Sequence, residues 1–263
     1  MGALSNHAEL TYRLRAAGCV FAEDEARLLL GAATDPADLE RWVARRVGGE
    51  PLEQILGWAE FCGLRIAVEP GVFVPRRRTE LLVDFAARSV AGLGRAPLVV
   101  DLCCGSGAIG AAIAARLGPI ALCAADLDPA AVRCARRNLD GIGEVFEGDL
   151  YAALPESIRG RVDVLAANAP YVPTEVIPLM PPEARLYEPG LALDGGTDGL
   201  EVHRRVAGEA NDWLAPGGTL LIEVGEDQLP AAVELLQASG LNTRVERSEE
   251  LDATVVIGHR PAG

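Results

Sequence analysis

The feature that most constrains the fold is a glycine-rich stretch, from Asp101 to Gly110, between a short apolar run and a helix-forming run. The apolar run at 98–100 predicts a buried strand, and residues 108–117 predict a helix. The glycines between them satisfy the spacing GxGxxG. Glycine lets the backbone approach a ligand closely, and the start of a helix offers free N–H groups. This stretch therefore predicts a nucleotide-type ligand at the carboxyl end of a strand.

The rest of the chain after Thr79 repeats the same alternation of apolar runs and helix-forming segments. Alternation of this kind favours an α/β fold, with a mostly parallel sheet covered by helices on both faces. The last two strands are close together in sequence, so they are expected to form an antiparallel hairpin at one edge. The predicted strands are 98–100, 120–125, 145–146, 162–167, 219–224, 243–247 and 254–258.

The first part of the chain has a different pattern. Three short helices are predicted within the first 50 residues, the third opening at Asp35-Pro36 with a capping residue followed by proline. Residues 58–68 predict a hairpin. We therefore expect three parts: a helical lobe (1–50), a hairpin connector (51–75) and the ligand-binding α/β domain (76–263).

Composition excludes several classes of protein. The 38 acidic and 24 basic residues give a formal charge of −14, which disfavours direct binding to nucleic acid. No apolar run approaches the ~20 residues of a membrane span, and the first residues do not resemble a signal peptide. The six cysteines have neither zinc nor disulfide spacing, so no metal is expected. These features indicate a cytoplasmic protein.

Acidic residues after the strands indicate which nucleotide-type ligand binds. Asp126 ends the second strand, where a carboxylate can accept both hydroxyls of a ribose. Asp101 before the loop suits the ammonium group of S-adenosylmethionine and is awkward beside a pyrophosphate, although GxGxxG also occurs in dinucleotide enzymes. Asp149 is either a contact to the adenine amino group or a turn residue, and Leu150 can pack on the adenine ring. The acidic pattern favours S-adenosylmethionine.

A second polar motif, Asn168-Ala169-Pro170-Tyr171, follows the fourth strand. Ligands of a doubly wound sheet bind beyond the carboxyl ends of its strands. The Asn168 side-chain oxygen and the Ala169 carbonyl can accept the two hydrogens of an amide nitrogen. Pro170 stiffens the loop, and Tyr171 offers an aromatic wall. This motif predicts transfer of a methyl group to an amide nitrogen.

Together with their flanks, these motifs resemble the HemK/PrmC family, the glutamine methyltransferases of peptide chain release factors. The resemblance extends from about Gly49 to the C-terminus. The flanking segments that carry it are Gly49-Glu50-Pro51, Phe73-Val74-Pro75-Arg76 with Thr79-Glu80, Glu188-Pro189, Leu191-Ala192-Leu193, and Gly195-Gly196 with Asp198-Gly199-Leu200.

The resemblance implies a Rossmann-like class I methyltransferase fold with a seven-stranded sheet. It implies that residues 168–171 hold a substrate glutamine, in a class I release factor, and that the helical lobe helps to bind that protein. The residues expected to bind S-adenosylmethionine are Asp101, Cys103, Cys104, Gly105, Ser106, Gly107, Asp126, Leu127, Asp149, Leu150 and Asn168.

The chain departs from the family pattern at three places, which suggests a divergent paralogue. Ala169 stands where the family has proline, Cys103-Cys104 where it has glycine and a small polar residue, and Arg77-Arg78 where it has Pro-Asp. Two alternatives remain open at this stage. One is methylation of the adenine amino group in nucleic acid, which requires a flipped base. The other is a protein that binds the cofactor without catalysis.

Overall fold

The computed structural model describes residues 2–262, with side chains from residue 7 onward. Ten α-helices lie within this range: α1 (Gly2–Ala16), α2 (Ala22–Ala32), α3 (Pro36–Val47), α4 (Leu52–Leu56), α5 (Glu80–Ser89), α6 (Ala108–Leu117), α7 (Pro129–Asn138), α8 (Pro182–Tyr187), α9 (Glu201–Trp213) and α10 (Leu229–Ala238). The strands are β1 (Trp58–Phe61), β2 (Leu64–Ala67), β3 (Leu98–Leu102), β4 (Ala121–Asp126), β5 (Glu144–Glu147), β6 (Val162–Ala167), β7 (Leu214–Glu223), β8 (Asn242–Ser248) and β9 (Ala253–His259).

Seven of the strands form one sheet, in the order β5-β4-β3-β6-β7-β9-β8. Strands β3 to β7 are parallel, and β9 is antiparallel to both of its neighbours. Helices bury an apolar cluster against each face, as expected when parallel strands are apolar on both sides. The predicted α/β class and the mostly parallel seven-stranded sheet are confirmed. The terminal hairpin forms as predicted, with β8 outermost and β9 paired to β7.

The register of the central strands brings four loops together. Leu102 at the end of β3 lies opposite Ala125 of β4 and Ala167 of β6, and Ala167 lies opposite Ile222 of β7. The residues that follow these strands therefore meet at one edge of the sheet. This is the edge where doubly wound folds bind ligands.

The N-terminal helices form a lobe with its own apolar core. The predicted cap of α3 is present, since the Asp35 side chain accepts from the Asp38 N–H at 2.8 Å. The connector contains the predicted hairpin, β1 paired with β2, preceded by the helix α4 that the sequence did not predict. Leu52 and Ile55 of α4 pack into the core of the lobe, so lobe packing continues past residue 50.

The segment between Tyr171 and α9 contains structure that the sequence did not predict. It holds α8 and the short 3-10 helices Ile177–Leu179 and Gly190–Ala192. This segment also contacts the lobe. Arg46 of α3 forms a buried ion pair with Glu25 at 2.6 Å and a second with Glu183 of α8 at 2.9 Å. The Gln54 amide donates to the carbonyls of Val72 at 3.0 Å and Tyr187 at 3.3 Å.

Candidate active site

A cavity of about 520 Å³ opens at the carboxyl edge of the sheet. Most residues predicted to bind cofactor or substrate lie in its wall, although they come from four different loops. These are Cys103, Cys104, Gly105, Ser106, Asp126, Leu127, Asp149, Leu150, Asn168, Ala169, Pro170 and Tyr171. Asp101 and Gly107 lie outside the wall, so their predicted contacts with a cofactor stay predictions.

The glycine-rich loop has a backbone that requires glycine at Gly107. This residue has φ of 77° where α6 begins, and an added Cβ would lie 3.1 Å from the Leu139 side chain and 3.2 Å from that of Ala135. Cys103 also has a positive φ, 56°. The Gly105 N–H donates to Asp126 Oδ2 at 2.8 Å, which joins the loop to the end of β4. The loop is thus held open around the cavity by its backbone conformation.

Asp101 lies beneath the glycine-rich loop, at the end of β3, and forms a hydrogen bond with the helix that follows the loop. Its side chain is fully buried, and Oδ2 accepts from the Gly110 N–H of α6 at 2.9 Å. Oδ1 has no hydrogen-bond partner among the described residues. Burial raises the pKa of Asp101 to about 7, because the ionised form loses its hydration. The observed contact of Asp101 is therefore with the helix that follows the loop.

Two of the carboxylates predicted to bind the cofactor, Asp126 and Asp149, line the cavity. Asp126 Oδ1 accepts from the Asp128 N–H at 2.9 Å, and each Asp126 oxygen keeps lone pairs for a further donor. Burial raises the pKa of Asp126. Asp149 forms an ion pair with Arg205 of α9 at 2.7 Å. Asp126 therefore suits the hydroxyls of a ribose, while Asp149 reaches the cavity with its charge already paired.

The paired cysteines of the loop are poor nucleophiles. Burial raises the pKa of the Cys103 thiol, and it raises that of Cys104 well above the ordinary value. The nearby carboxylates of Asp101 and Asp126 act in the same direction. Since the thiolate is the reactive form, both residues serve as small uncharged parts of the wall.

The second predicted motif also forms part of the cavity wall. The Asn168 amide donates from Nδ2 to Thr79 Oγ1 at 3.4 Å, whereas its Oδ1 is buried without a partner among the described residues. The Tyr171 hydroxyl donates to Glu223 Oε1 at 3.2 Å. A buried acceptor with no partner is costly unless a ligand supplies the donor. Asn168 Oδ1 is therefore an acceptor that a donor group of a bound ligand could satisfy.

The Asp198-Gly199-Leu200 run lies directly behind this motif. The Gln228 amide donates to the Tyr171 carbonyl at 2.8 Å and to the Asp198 carbonyl at 3.1 Å. Gly199 has φ of 75°, and a Cβ there would lie 2.1 Å from Gln228 Nε2 and 2.3 Å from the Tyr171 oxygen. Only glycine at position 199 leaves room for the hydrogen bonds from Gln228 to the carbonyls of Tyr171 and Asp198, which are called the Gln228 clamp below.

Several wall residues were not predicted from the sequence as site residues. Arg76 pairs with both oxygens of the buried Glu188 at 2.6 and 2.7 Å, which joins two of the family-like segments. Phe73, Arg78 and Thr79 also reach the cavity. The signal was present in the sequence, since these positions belong to the segments that carry the family resemblance, but spacing alone assigns them no chemistry.

Residues 2–262 contain neither a metal-binding cluster nor a membrane-spanning helix. No group of three or more His, Cys, Asp or Glu side chains is arranged to hold a metal ion in that part of the chain. None of the helices described is both long and apolar enough to cross a membrane. His203 is buried, and its Nε2 donates to the Glu223 carbonyl at 3.1 Å.

Comparison with known proteins places this site in a known context. Residues 63–177 match the family model of the methyltransferase small domain. The release factor glutamine methyltransferase of Geobacter sulfurreducens is 39% identical over 201 residues, which cover 75% of this chain and 69% of that protein. The 4-amino-L-phenylalanine/4-methylamino-L-phenylalanine methyltransferase of Streptomyces pristinaespiralis is 37% identical over 253 residues, covering 88% and 86%.

Among solved structures, the hMettl16 catalytic domain has a similar fold, with a TM-score of 0.58 at 15% identity, covering 84% of this chain and 82% of that one. The sheet order, the glycine-rich loop and the cavity at the carboxyl edge define a methyltransferase with a Rossmann-like fold. Within that class, the chain belongs to the family of the release factor glutamine methyltransferases, because relatives of that name are 39–40% identical over about three quarters of it. The predicted resemblance is confirmed.

Proposed function

We propose that this protein transfers a methyl group from S-adenosylmethionine to the side-chain amide nitrogen of a glutamine in a peptide chain release factor. Membership of the family supports the reaction. The observation that carries the proposal is the buried Oδ1 of Asn168, which has no partner among the described residues and belongs to a residue of the same cavity wall as the glycine-rich loop. The names of the relatives favour this reaction over the nucleic-acid and non-catalytic alternatives.

The residues of the cavity suit the difficulty of this chemistry. An amide nitrogen is a weak nucleophile because its lone pair is delocalised into the carbonyl group. Asn168 Oδ1 and the Ala169 carbonyl would accept its two hydrogens, while Tyr171 and Phe73 restrict the position of the side chain that carries it. Positioning of this kind accounts for as much as ~7–11 kcal/mol of a barrier in favourable cases. The methylated amide can then lose its proton to water.

The other half of the cavity fits the cofactor. Asp126 would accept the ribose hydroxyls, Leu127 and Leu150 would pack on the adenine, and the backbone at Gly105 and Ser106 would lie beside the amino-acid part. S-adenosylmethionine supplies the electrophilic methyl group on its sulfonium. The chain itself would hold that group near Asn168 and would exclude water, because apolar side chains form most of the wall.

The substrate protein would dock on the helical lobe near the cavity. Three large side chains of the lobe are strongly exposed: Tyr12 at 75%, Val20 at 81% and Phe21 at 70%. Buried aromatic and aliphatic anchors commonly supply the energy of protein interfaces. The lobe is fixed to the cavity by the Arg46–Glu183 ion pair, so a protein bound there would present its glutamine in a defined place.

The test is methyl transfer from radiolabelled S-adenosylmethionine to a purified class I release factor, with the label mapped to a residue by mass spectrometry. Label on glutamine is expected with the wild-type enzyme. Asn168→Ala should abolish transfer and keep cofactor affinity, whereas Asn242→Ala, an exposed asparagine on β8, should change neither. Label in nucleic acid, or cofactor binding without any transfer, would contradict the proposal.

A second candidate is methylation of an aromatic amine on a free amino acid. The observation that favours it is the similarity to the Streptomyces pristinaespiralis enzyme, together with Arg78. Arg78 reaches the cavity and forms no ion pair with any residue between 7 and 262, so it is available for a substrate carboxylate. The assay is repeated with 4-amino-L-phenylalanine. Turnover that Arg78→Met abolishes, without label on the release factor, would select this candidate.

A further inference from the structure

Glu188 is a buried carboxylate between α8 and Pro189, a residue of the cavity wall. Only 1% of its side chain is exposed. It accepts three hydrogen bonds: Arg76 Nη2 donates to Oε1 at 2.6 Å and to Oε2 at 2.7 Å, and the Val74 N–H donates to Oε1 at 3.2 Å. A carboxylate removed from water is costly unless hydrogen bonds and an opposite charge replace its hydration. The buried Glu188 therefore depends on both of these partners.

Both donors to Glu188 are linked to Phe73, an aromatic residue of the cavity wall. The Val74 N–H belongs to the peptide group that joins Phe73 to Val74, so its hydrogen bond fixes the backbone on one side of Phe73. The guanidinium carbon of Arg76 lies 4.9 Å from the centre of the Phe73 ring. At this distance a positive charge is attracted to the face of an aromatic ring. Glu188 thus holds the backbone of Phe73 directly and its ring through Arg76.

We propose that Arg76 and Glu188 are positioning residues that fix the Phe73 ring in the cavity wall, where the ring restricts the position of the substrate side chain. The inference rests on the proposed function for its effect on turnover, whereas the position of the ring can be measured without any substrate. Neither Arg76 nor Glu188 needs to touch the reacting groups for this role.

The two charged residues act as one unit. Burial raises the pKa of Glu188, and the positive charge of Arg76 acts against this increase. Without Arg76, Glu188 would be buried without its counter-ion. Without Glu188, Arg76 would lose the two hydrogen bonds that keep its guanidinium beside the Phe73 ring. The loss of either residue is therefore expected to release the ring.

The surroundings of Phe73 explain why its ring needs this support. Phe73 is only partly buried, and it borders a cavity of about 520 Å³. Packing against neighbouring side chains therefore leaves one side of the ring without contacts. A phenylalanine side chain has several staggered rotamers, and the contact with Arg76 favours the one that places the ring next to the guanidinium.

A second ion pair of the same construction serves as the matched control. Arg95 donates to both oxygens of Asp163 at 2.7 Å, and the Leu98 N–H donates to Asp163 Oδ2 at 2.8 Å. Only 8% of the Asp163 side chain is exposed. Leu98 begins β3 and Asp163 is the second residue of β6, so this pair lies at the end of the strands opposite the cavity. Its removal measures the effect of losing such a pair on stability alone.

The test compares the double variant Arg76→Met/Glu188→Gln with the control double variant Arg95→Met/Asp163→Asn. Removing both charges of a pair avoids leaving one of them buried, so both variants are expected to fold. Each is also combined with Phe73→Leu. Measured are kcat and KM at saturating cofactor, the cofactor Kd, Tm, and the ¹⁹F spectrum of protein labelled with 4-fluorophenylalanine. The Phe73→Leu variant identifies the Phe73 resonance among those of the five phenylalanines.

We expect Arg76→Met/Glu188→Gln to lower kcat about 10- to 100-fold, because a misplacement of about 1 Å has an effect of this size. The cofactor Kd should change little. The control double variant should keep kcat, although its Tm falls by a similar amount. In the Phe73→Leu background, loss of the Arg76–Glu188 pair should lower kcat no further, because the ring that the pair positions is already absent. The Phe73 resonance should broaden or split in Arg76→Met/Glu188→Gln and stay single and sharp in the control.

A single sharp Phe73 resonance in Arg76→Met/Glu188→Gln would overturn the inference whatever the substrate is, because loss of the charge alone would shift the resonance without broadening it. A preserved kcat in that variant, or an equal loss of kcat in the control, would overturn it as well. So would an undiminished loss of kcat in the Phe73→Leu background, since the pair would then act on another part of the site. If the wild type methylates no glutamine while the ¹⁹F spectra behave as described, the proposed function fails and the inference about the ring stands.

Discussion

Replacing Gly199 with alanine tests whether the Gln228 clamp, the hydrogen bonds from Gln228 to the carbonyls of Tyr171 and Asp198, is needed for catalysis. Gly199 has φ of 75°, and an added Cβ would lie 2.3 Å from the Tyr171 carbonyl oxygen. Because this oxygen belongs to the backbone, the loop that carries Asn168 and Tyr171 must move. Gly217 offers a matched control, since it has φ of 79° and nothing within 4 Å of its added Cβ.

The expected free energies follow from these two environments. Forcing an alanine into the left-handed region costs about 1–2 kcal/mol at either position. At Gly199 the methyl group also displaces Gln228 from the carbonyls of Tyr171 and Asp198, and each such hydrogen bond contributes about 0.5–1.5 kcal/mol. We expect Gly217→Ala to lower the free energy of unfolding by about 1–2 kcal/mol and Gly199→Ala by about 2–5 kcal/mol.

Urea denaturation gives the two free energies of unfolding, and methyl-transfer kinetics at saturating cofactor give kcat. A displacement of the active loop by about 1 Å is expected to lower kcat about 100-fold in Gly199→Ala. Gly217→Ala should keep full kcat, and both variants should bind the cofactor normally. Equal stability and equal kcat in the two variants would refute the idea that Gly199 makes room for the clamp.

Three further predictions concern the cavity and its support. Asp126→Asn should weaken cofactor binding, measured by calorimetry, about 10- to 100-fold, because a charge-assisted hydrogen bond contributes about 1.5–3 kcal/mol. The control variant Asp140→Asn, at an exposed aspartate, should bind the cofactor normally. Ala169→Pro should keep turnover within about twofold. The Ala169 N–H has no partner among the described residues, and Pro170 already restricts Ala169 to extended conformations. Loss of turnover would show that this N–H is needed. Asp101→Asn should raise the free energy of unfolding by a few kcal/mol at pH 8 and by much less at pH 4. The folded pKa of Asp101 is raised to about 7, so the wild type loses stability as the pH rises from the unfolded pKa through that value; a pH-independent difference between the two proteins would contradict the assignment.

The sheet and the principal loops could be predicted from sequence because their signals are local. Alternating apolar runs and helices define the parallel sheet, and its strand ends give the positions of Asp126 and Asn168. The residues of the Asn168-Ala169-Pro170-Tyr171 motif line the cavity for this reason, since they directly follow β6. Their substrate is a proposal, because the end of a strand determines where these residues lie and does not determine which ligand they bind.

The supporting contacts could not be predicted in this way because they join distant residues. Thr79 and Asn168 are 89 positions apart, Tyr171 and Glu223 are 52 apart, and Arg76 pairs with a residue 112 positions away. Such pairs depend on the order and register of the strands. The placement of Asp101 also depends on side-chain direction, since neighbouring residues of a strand point to opposite faces. A strand-end carboxylate can therefore lie beneath a loop instead of lining the cavity above it.

The contacts between the lobe and α8 have a consequence for the construction of chimeric enzymes. Arg46 and Gln54 of the N-terminal region depend on Glu183 and on the Tyr187 carbonyl, which lie in a distant part of the chain and beside the cavity. A lobe taken from a relative would meet a mismatched surface unless residues 181–188 were exchanged with it. If the lobe binds the target protein as proposed, the module that would have to be transferred is discontinuous, and a crossover placed in the connector alone would separate its two halves.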